Sequence, residues 1–89
     1  MSNFSVIIHK KAKKEYDLLD KTIQERIKEK IIELQEFPEK GVHLTHSNFW
    51  KLRIGDYRVI YELNISEKNI TVLYMGHRRN VYDKFSKMF

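Results

Sequence analysis

Cations that lie near a tyrosine in the second half of this 89-residue chain are its best candidates for chemistry. Arginine presents a rigid fork of donors to phosphate oxygens, and several cations together can stabilise the extra charge of a pentacoordinate phosphate. Tyr82, four residues after Arg78, could transfer a proton or stack on a base. The pattern therefore indicates a site for a phosphate ester, whose basic candidates are Lys51, Arg53, Arg58, Arg78 and Arg79.

Each of these candidates also has a purely structural explanation. A basic sheet face can hold a nucleic acid backbone or an acidic protein without catalysis, and on the residues alone this binding role is the more common one. Tyr82 could simply pack the C-terminal segment onto a sheet. His77, next to Arg78, could act as a general acid or base, or it could only end a strand.

The absence of cysteine narrows the possible chemistry. It excludes disulfides, thiolate catalysis and zinc–thiolate sites together, and it is typical of a reducing compartment. His43 and His46 lie three residues apart without a carboxylate pattern nearby, so we expect no metal site and no cofactor. The first ten residues lack the basic start and cleavage site of a signal peptide, and no apolar run is long enough to span a bilayer. We therefore expect a cytoplasmic protein that does not contact membranes.

The net charge of +5 is concentrated in the second part of the chain. Residues 38–89 carry nine Lys/Arg against five Asp/Glu and hold eight of the eleven aromatic residues, whereas residues 10–37 are nearly balanced in charge. Basic residues interleaved with aromatics suit nucleic acid, because the cations neutralise phosphates and the rings stack on bases. A basic protein with an aromatic core would have the same composition, so charge alone leaves both interpretations open.

The elements that must position these side chains begin with a strand and two helices. Alternating apolar residues over 4–9 predict a strand, and the spacing then changes to a helical period over 10–19. A second helix is predicted to start at Asp20 or at Thr22, which has the form of a capping box, and to end before Pro38. Because the break between the helices is short, they should form an antiparallel hairpin.

The second half of the chain has the period of β-strands. Residues 38–47 are polar and predict a loop. Beyond them, apolar and polar residues alternate between short turn sequences, which predicts three consecutive strands that pair as an antiparallel meander. The predicted strands cover 50–54, 57–63 and 70–75, and a short helix or a tail follows over 81–89.

The order of elements predicts one α+β domain over residues 1–89. An N-terminal strand precedes a helical hairpin, and a three-stranded antiparallel meander in one sheet then leads to a short C-terminal helix. The hairpin must cover one face of the sheet, since its apolar stripes need burial. If Trp50 and Tyr61 face the helices, Ile60 and three cations point to the opposite, open face. The cations are Lys51, Arg53 and Arg58, and a partly apolar open surface of this kind suggests a binding partner.

Two segments of the sequence resemble the RelE/ParE toxin superfamily. They are WKLRIGDYRVIY at 50–61 and MGHRRNVY at 75–82, and the predicted order of elements extends the resemblance over essentially the whole chain. Its RelE-like branch keeps two basic residues, two arginines and a tyrosine, and ParE-like chains usually lack that tyrosine. The matching positions here are Lys51, Arg53, Arg58, Arg78 and Tyr82.

The resemblance implies a toxin of a type II toxin–antitoxin system that enters the ribosomal A site and cleaves mRNA without a metal. The RNA 2′-hydroxyl would attack the neighbouring phosphate and leave a 2′,3′-cyclic phosphate. Arg58 and Arg78 would stabilise the phosphate, Tyr82 would orient the nucleotide or take a proton, and Lys51 would add charge or act as base. Further substrate-binding residues would be Arg53, His77 and Arg79.

One position departs from the family pattern. Arg53 stands where the best-understood members have a second lysine, and an arginine cannot act as a base. A mechanism with two lysines is therefore in doubt here, although His77 could compensate.

The resemblance also implies partners. RelE-like toxins act on mRNA in the ribosome and are held inactive by an antitoxin, so we expect a hetero-oligomer with an acidic, partly helical, RelB-like partner that folds on binding. ParE-like members instead bind DNA gyrase and are not known as nucleases. A gyrase inhibitor therefore remains the alternative function, and a non-toxic RNA-binding module is a third.

Overall fold

The computed structural model describes residues 3–88, and the elements follow the predicted order except for one additional short strand. The final residue of the segment predicted as a helix or a tail, Phe89, lies outside the described residues. The elements are β1 (Ser5–Ile8), α1 (Lys10–Asp17), α2 (Lys21–Glu36), β2 (Val42–His43), β3 (Phe49–Ile54), β4 (Tyr57–Asn64), β5 (Asn69–His77) and α3 (Val81–Met88).

The two helices of the hairpin begin and end where local chemistry requires. His9 caps α1 by accepting a hydrogen bond at Nδ1 from the backbone nitrogen of Lys11, at 3.1 Å. Asp20 is the residue before α2, so the earlier of the two predicted starts is the observed one. The helix ends at Glu36, because a residue directly before Pro38 is disfavoured in helical geometry.

Five strands form one mixed sheet in the order β1-β5-β4-β3-β2. The strands β3, β4 and β5 pair as the predicted antiparallel meander, and β1 joins β5 in parallel. The prediction of a loop over 38–47 was wrong at Val42–His43, which pair with Lys51 and Trp50 as the short strand β2. Two residues are too few to show an alternating pattern, so the sequence does not reveal this strand.

One face of the sheet packs on the helical hairpin, as the alternation predicts. Leu52, Val59 and Tyr61 form one core cluster with Ile27 and Leu34 of α2, and Val59, Tyr61, Ile27 and Leu34 have no exposed surface. Burying side chains of this size on both sides of the contact is the main force that holds the hairpin on the sheet.

The opposite face carries a second, smaller core under α3. Ile60 and Val81 are fully buried there with Tyr74, and the rings of Phe49 and Phe85 pack edge to face at 5.2 Å between centroids. The prediction that Ile60 adds to an open apolar surface was therefore wrong. Alternation shows which face a residue lies on, but it does not show that a later helix folds back over it. Among the described residues, no helix is long and apolar enough to cross a membrane.

Candidate active site on the basic face

The part of the sheet that α3 leaves uncovered carries a cluster of cations, which we call the basic face. Its members are Lys51, Arg53, Arg58 and Arg78, and Tyr82 lies beside them. Arg53 and Arg58 are directly opposite each other on β3 and β4, a position in which Cβ atoms are about 5 Å apart and like charges are unfavourable. Two cations held in this way favour an anionic ligand that lies between them.

The turn between β3 and β4 holds both arginines of the RelE-like pattern. Arg58 Nη1 donates to the carbonyl oxygens of Gly55 and Tyr57 at 2.7 and 2.8 Å. The backbone nitrogen of Arg78 donates to the Asp56 carbonyl oxygen at 2.7 Å, and its Nε lies 3.6 Å from Asp56 Oδ1. Gly55 has φ of +58°, a conformation that glycine adopts without strain. The turn therefore fixes where both guanidinium groups lie.

Tyr82 reaches the basic face from the first turn of α3. Its ring centroid lies 5.6 Å from Lys51 Nζ, within the range of a cation–π contact. The neighbouring Val81 is fully buried and anchors the helix, while Tyr82 is 39% exposed. An exposed phenol beside an ammonium group can stack on a base or exchange a proton with a ligand.

One predicted site residue, His77, is not brought into this cluster. His77 is paired with Tyr57 on the helix-covered side of the sheet, where the rings meet edge to face at 5.6 Å between centroids. Its Nδ1 accepts a hydrogen bond from the backbone nitrogen of Arg79 at 3.2 Å. Arg79 is exposed in the turn before α3. This position of His77 gives no support to the idea that it replaces a base at Arg53.

A groove opens from the basic face at the edge of the sheet, and we call it the edge groove. Its volume is about 420 Å³, and it lies between β3, β2 and α2. Five cations line it, and three of them also belong to the basic face. These five are Lys30, Lys40, Lys51, Arg53 and Arg58.

Two titratable groups help to shape the edge groove. Hydrogen bonds from Lys40 and then Lys30 hold the pKa of Glu33 below its usual value. Burial raises the pKa of Tyr61 to about 12, against a weaker opposite effect of its hydrogen bond with Gly41. Tyr61 therefore stays a neutral hydrogen-bonding group at physiological pH, and its role is structural. Within residues 3–88, no three acidic or histidine side chains are grouped so that they could hold a metal ion.

Residues 6–82 match the family model described as the ParE toxin of the type II toxin–antitoxin system, parDE. The chain belongs to the RelE/ParE superfamily of toxins. Comparison with curated protein sequences gives no significant match.

Solved structures place this toxin in the RelE-like branch. It is similar to RelE in the RelE–RelB complex from Pyrococcus horikoshii OT3, with 32% identity over 85% of this chain and 96% of that chain, at a TM-score of 0.76. For the RelB–RelE complex from Methanococcus jannaschii the identity is 25% over 89% and 98% of the two chains, at a TM-score of 0.72. A mutant E. coli RelE in the free state shares the fold over 100% and 99% of the chains, at 24% identity and a TM-score of 0.79.

Three residues of this toxin's site were missed by the sequence prediction. Asp56 was assigned only to a turn, although its place in the GDYR segment is a signal that it could have a further role. Lys30 and Lys40 belong to a helix and a connecting segment, and nothing in their spacing reveals that both line a groove with β3. Such contacts depend on how the elements pack and not on local pattern.

Proposed function

We propose that this toxin is a ribonuclease that cuts messenger RNA in the A site of the ribosome. The observation that carries the proposal is the cluster on the basic face, where Arg53 and Arg58 pair across two strands and the Tyr82 ring lies 5.6 Å from Lys51 Nζ. A concentrated set of cations next to an exposed phenol suits the binding and the in-line cleavage of a phosphodiester.

In the proposed reaction the RNA supplies its own nucleophile. The 2′-hydroxyl oxygen forms a bond to the adjacent phosphorus, and the bond from phosphorus to the 5′ oxygen breaks. The 2′ proton is taken up by a base, and the leaving 5′ oxygen receives a proton, which gives a 2′,3′-cyclic phosphate and a 5′-hydroxyl. No metal is needed, because Arg58 and Arg78 stabilise the charge of the pentacoordinate phosphate.

The proton transfers fall to Tyr82 or Lys51 in this proposal. Arg53 contributes charge only, because a guanidinium does not release its proton at physiological pH. Tyr82 is also suited to stack on the nucleotide next to the cleaved bond. The contact between the Tyr82 ring and Lys51 Nζ keeps the two candidates together.

We further propose that an antitoxin neutralises the toxin by covering the basic face. The archaeal relatives at 32% and 25% identity are both toxin–antitoxin complexes with RelB. A net charge of +5 favours an acidic partner. In this proposal the toxin acts in the cytoplasm, where its ribosomal target is found, and it is stored as a hetero-oligomer with the antitoxin.

The alternative function is inhibition of DNA gyrase without nuclease activity. It is favoured by the match of residues 6–82 to the ParE family model. The presence of Tyr82 argues against gyrase inhibition, since ParE-like chains usually lack that tyrosine. A gyrase inhibitor would keep its toxicity when Tyr82 is replaced, and it would induce DNA-damage signalling.

Expression of the wild type and of Arg78→Ala from a tightly repressed promoter tests the nuclease. We expect growth arrest and new mRNA 5′ ends inside translated reading frames, and a loss of about a hundredfold in cleavage for Arg78→Ala. Lys14→Ala is the matched control, because it removes one exposed cation on α1, away from the basic face.

The possible outcomes separate the three functions. Arrest without new 5′ ends contradicts the nuclease and points to gyrase. Normal growth in the absence of an antitoxin contradicts both toxic functions and favours a simple RNA-binding module.

A further inference from the structure

We propose that the edge groove is a second phosphate-binding subsite, which takes an RNA backbone beside the site where the cut phosphate binds. The inference rests on the ribonuclease function proposed above and extends its RNA contact beyond the basic face. It concerns mainly Lys30 and Lys40, which lie outside the cluster of candidate catalytic residues.

The edge groove exists because β2 is shorter than the strand it pairs with. Val42 and His43 pair with Lys51 and Trp50, and the register of β2 stops there, so residues 52–54 of β3 have no partner in β2. The gap leaves a notch between the edge of β3 and α2. Three cations line both this notch and the basic face, namely Lys51, Arg53 and Arg58. An RNA strand can therefore contact cations all the way from one to the other.

Lys30 and Lys40 converge on this notch from two different elements. Lys30 Nζ lies 3.3 Å from one carboxylate oxygen of Glu33, and Lys40 Nζ binds the other. The two lysine side chains remain 42% and 43% exposed. The Glu33 carboxylate therefore lies between the two ammonium groups, which stay accessible to a ligand. One carboxylate neutralises only part of the charge of the five lining cations.

The wall that carries Lys40 is fixed before any ligand binds. Tyr61 donates its hydroxyl proton to the Pro38 carbonyl oxygen at 2.8 Å and accepts from the Gly41 backbone nitrogen at 3.2 Å. A Cβ at Gly41 would lie only 2.5 Å from the Lys51 carbonyl oxygen, so the backbone is packed closely against β3. A wall held in place in this way lowers the entropy that a ligand must lose on binding.

The charge of the groove continues along α2, which favours a polymer over a small anion. Arg26 lies four residues before Lys30, a spacing that puts both on the same side of the helix. Its Nη2 would be 3.2 Å from a Cβ at Gly55, so the guanidinium lies beside the turn that holds Arg58. A row of cations suits the repeated phosphates of a nucleic acid, whose binding releases counterions and so depends strongly on salt.

The strand in the groove could belong to the mRNA or to ribosomal RNA, because both present the same phosphodiester backbone. Binding is therefore measured on two probes, a single-stranded RNA that carries 2′-O-methyl groups and vacant ribosomes. The 2′-O-methyl groups block cleavage, so that affinity is read without chemistry. Each titration is repeated over a range of salt concentrations.

The test variant is the double substitution Lys30→Gln and Lys40→Gln. Its control, Lys14→Gln with Lys21→Gln, removes the same charge from exposed positions that do not line the groove. We expect the groove variant to bind at least one probe about tenfold more weakly and to reduce the slope of log K against log salt by about 1.4 to 1.8, because each of the two lost phosphate contacts contributes about 0.7 to 0.9. We expect the control to change affinity by less than about twofold.

A second pair of variants tests whether the affinity for RNA can be increased. Glu33→Gln removes the carboxylate that pairs with Lys30 and Lys40, so that the full charge of both ammonium groups is available to a phosphate, and we expect tighter RNA binding than for Glu67→Gln. Glu67 serves as the control, because it lies in the β4–β5 turn, away from the groove. Thermal melts of all variants verify that they are folded.

The results assign the groove or overturn the proposal. Weaker binding to the oligonucleotide assigns the groove to the mRNA strand, and an effect confined to vacant ribosomes assigns it to ribosomal RNA. Equal RNA binding by groove and control variants overturns the proposal, and a loss confined to antitoxin binding would give the groove to that protein instead. Wild-type cleavage of ribosome-bound mRNA is measured in parallel, so failure of the ribonuclease function is recognised separately.

Discussion

At the scale of the residue, Asp56 links the β3–β4 turn to the basic face. Its carbonyl oxygen accepts from the backbone nitrogen of Arg78, and its carboxylate lies 3.6 Å from Arg78 Nε. Arg78 is the first residue after β5, where the sheet no longer restrains it. Asp56 is therefore a positioning residue, which acts on the phosphate only through Arg78.

Replacing Asp56 by alanine keeps the backbone contact and removes the ion pair. Because the pair is exposed, it contributes about 0.2–1 kcal/mol, and we expect a loss of about 1.4- to fivefold in the cleavage rate. Single-turnover cleavage of ribosome-bound mRNA measures the effect. The loss should vanish when Asp56→Ala is combined with Arg78→Ala, and additive losses would contradict a role through Arg78.

Tyr82 has two candidate roles, stacking by its ring and proton transfer by its hydroxyl, and two variants distinguish them. Tyr82→Ala removes both the ring and the hydroxyl, and we expect cleavage to fall by at least about tenfold. Tyr82→Phe keeps the ring that contacts Lys51. A loss of cleavage in Tyr82→Phe therefore measures the part of the hydroxyl in proton transfer. Full cleavage activity of this variant would show instead that the ring acts by stacking. Unchanged toxicity of Tyr82→Ala would contradict the nuclease.

At the scale of the element, one buried phenol fixes the segment that leads into β2. The hydroxyl of Tyr61 joins Pro38 and Gly41, which lie just before β2, to the centre of the sheet. The sequence pattern predicts that Tyr61 is a core residue, but it does not show which groups form hydrogen bonds with its hydroxyl. That hydroxyl fixes the segment before β2, which forms one wall of the edge groove.

The raised pKa of Tyr61 gives a pH dependence with a definite sign. The folded state holds the neutral phenol more strongly than the unfolded state, so this contribution to stability is complete below about pH 10, the usual tyrosine pKa. It is lost as pH rises toward the folded pKa of about 12. Urea unfolding at pH 8 and pH 11 should therefore show a lower free energy of unfolding at the higher pH.

Tyr61→Phe is the matched variant for this measurement. We expect it to lose about 2 kcal/mol at pH 8, because two hydrogen bonds of about 1 kcal/mol each disappear, and to depend less on pH between 8 and 11. Some dependence should remain, because burial also raises the pKa of Tyr74. An equal pH dependence in wild type and variant would contradict the role given to Tyr61.

At the scale of the whole molecule, the sequence predicts the elements and much of the basic face. The alternation of β3 and β4 is enough to put Lys51, Arg53 and Arg58 on one side of the sheet, because the apolar residues that alternate with them face the helices. The fold of α3 over Ile60 and the approach of α2 to β2 were not predictable. They depend on contacts between distant segments, which leave no local period in the sequence.

The parallel pairing of β1 with β5 has a consequence for how the protein folds during its synthesis. Ser5 is opposite Asn69 and Ile8 is opposite Val72, so β1 finds its partner only after β5, the last of the five strands, has been synthesised. Synthesis runs from the N-terminus, and such distant pairings form slowly. The sheet therefore cannot be completed until β5 has been synthesised and has left the ribosome.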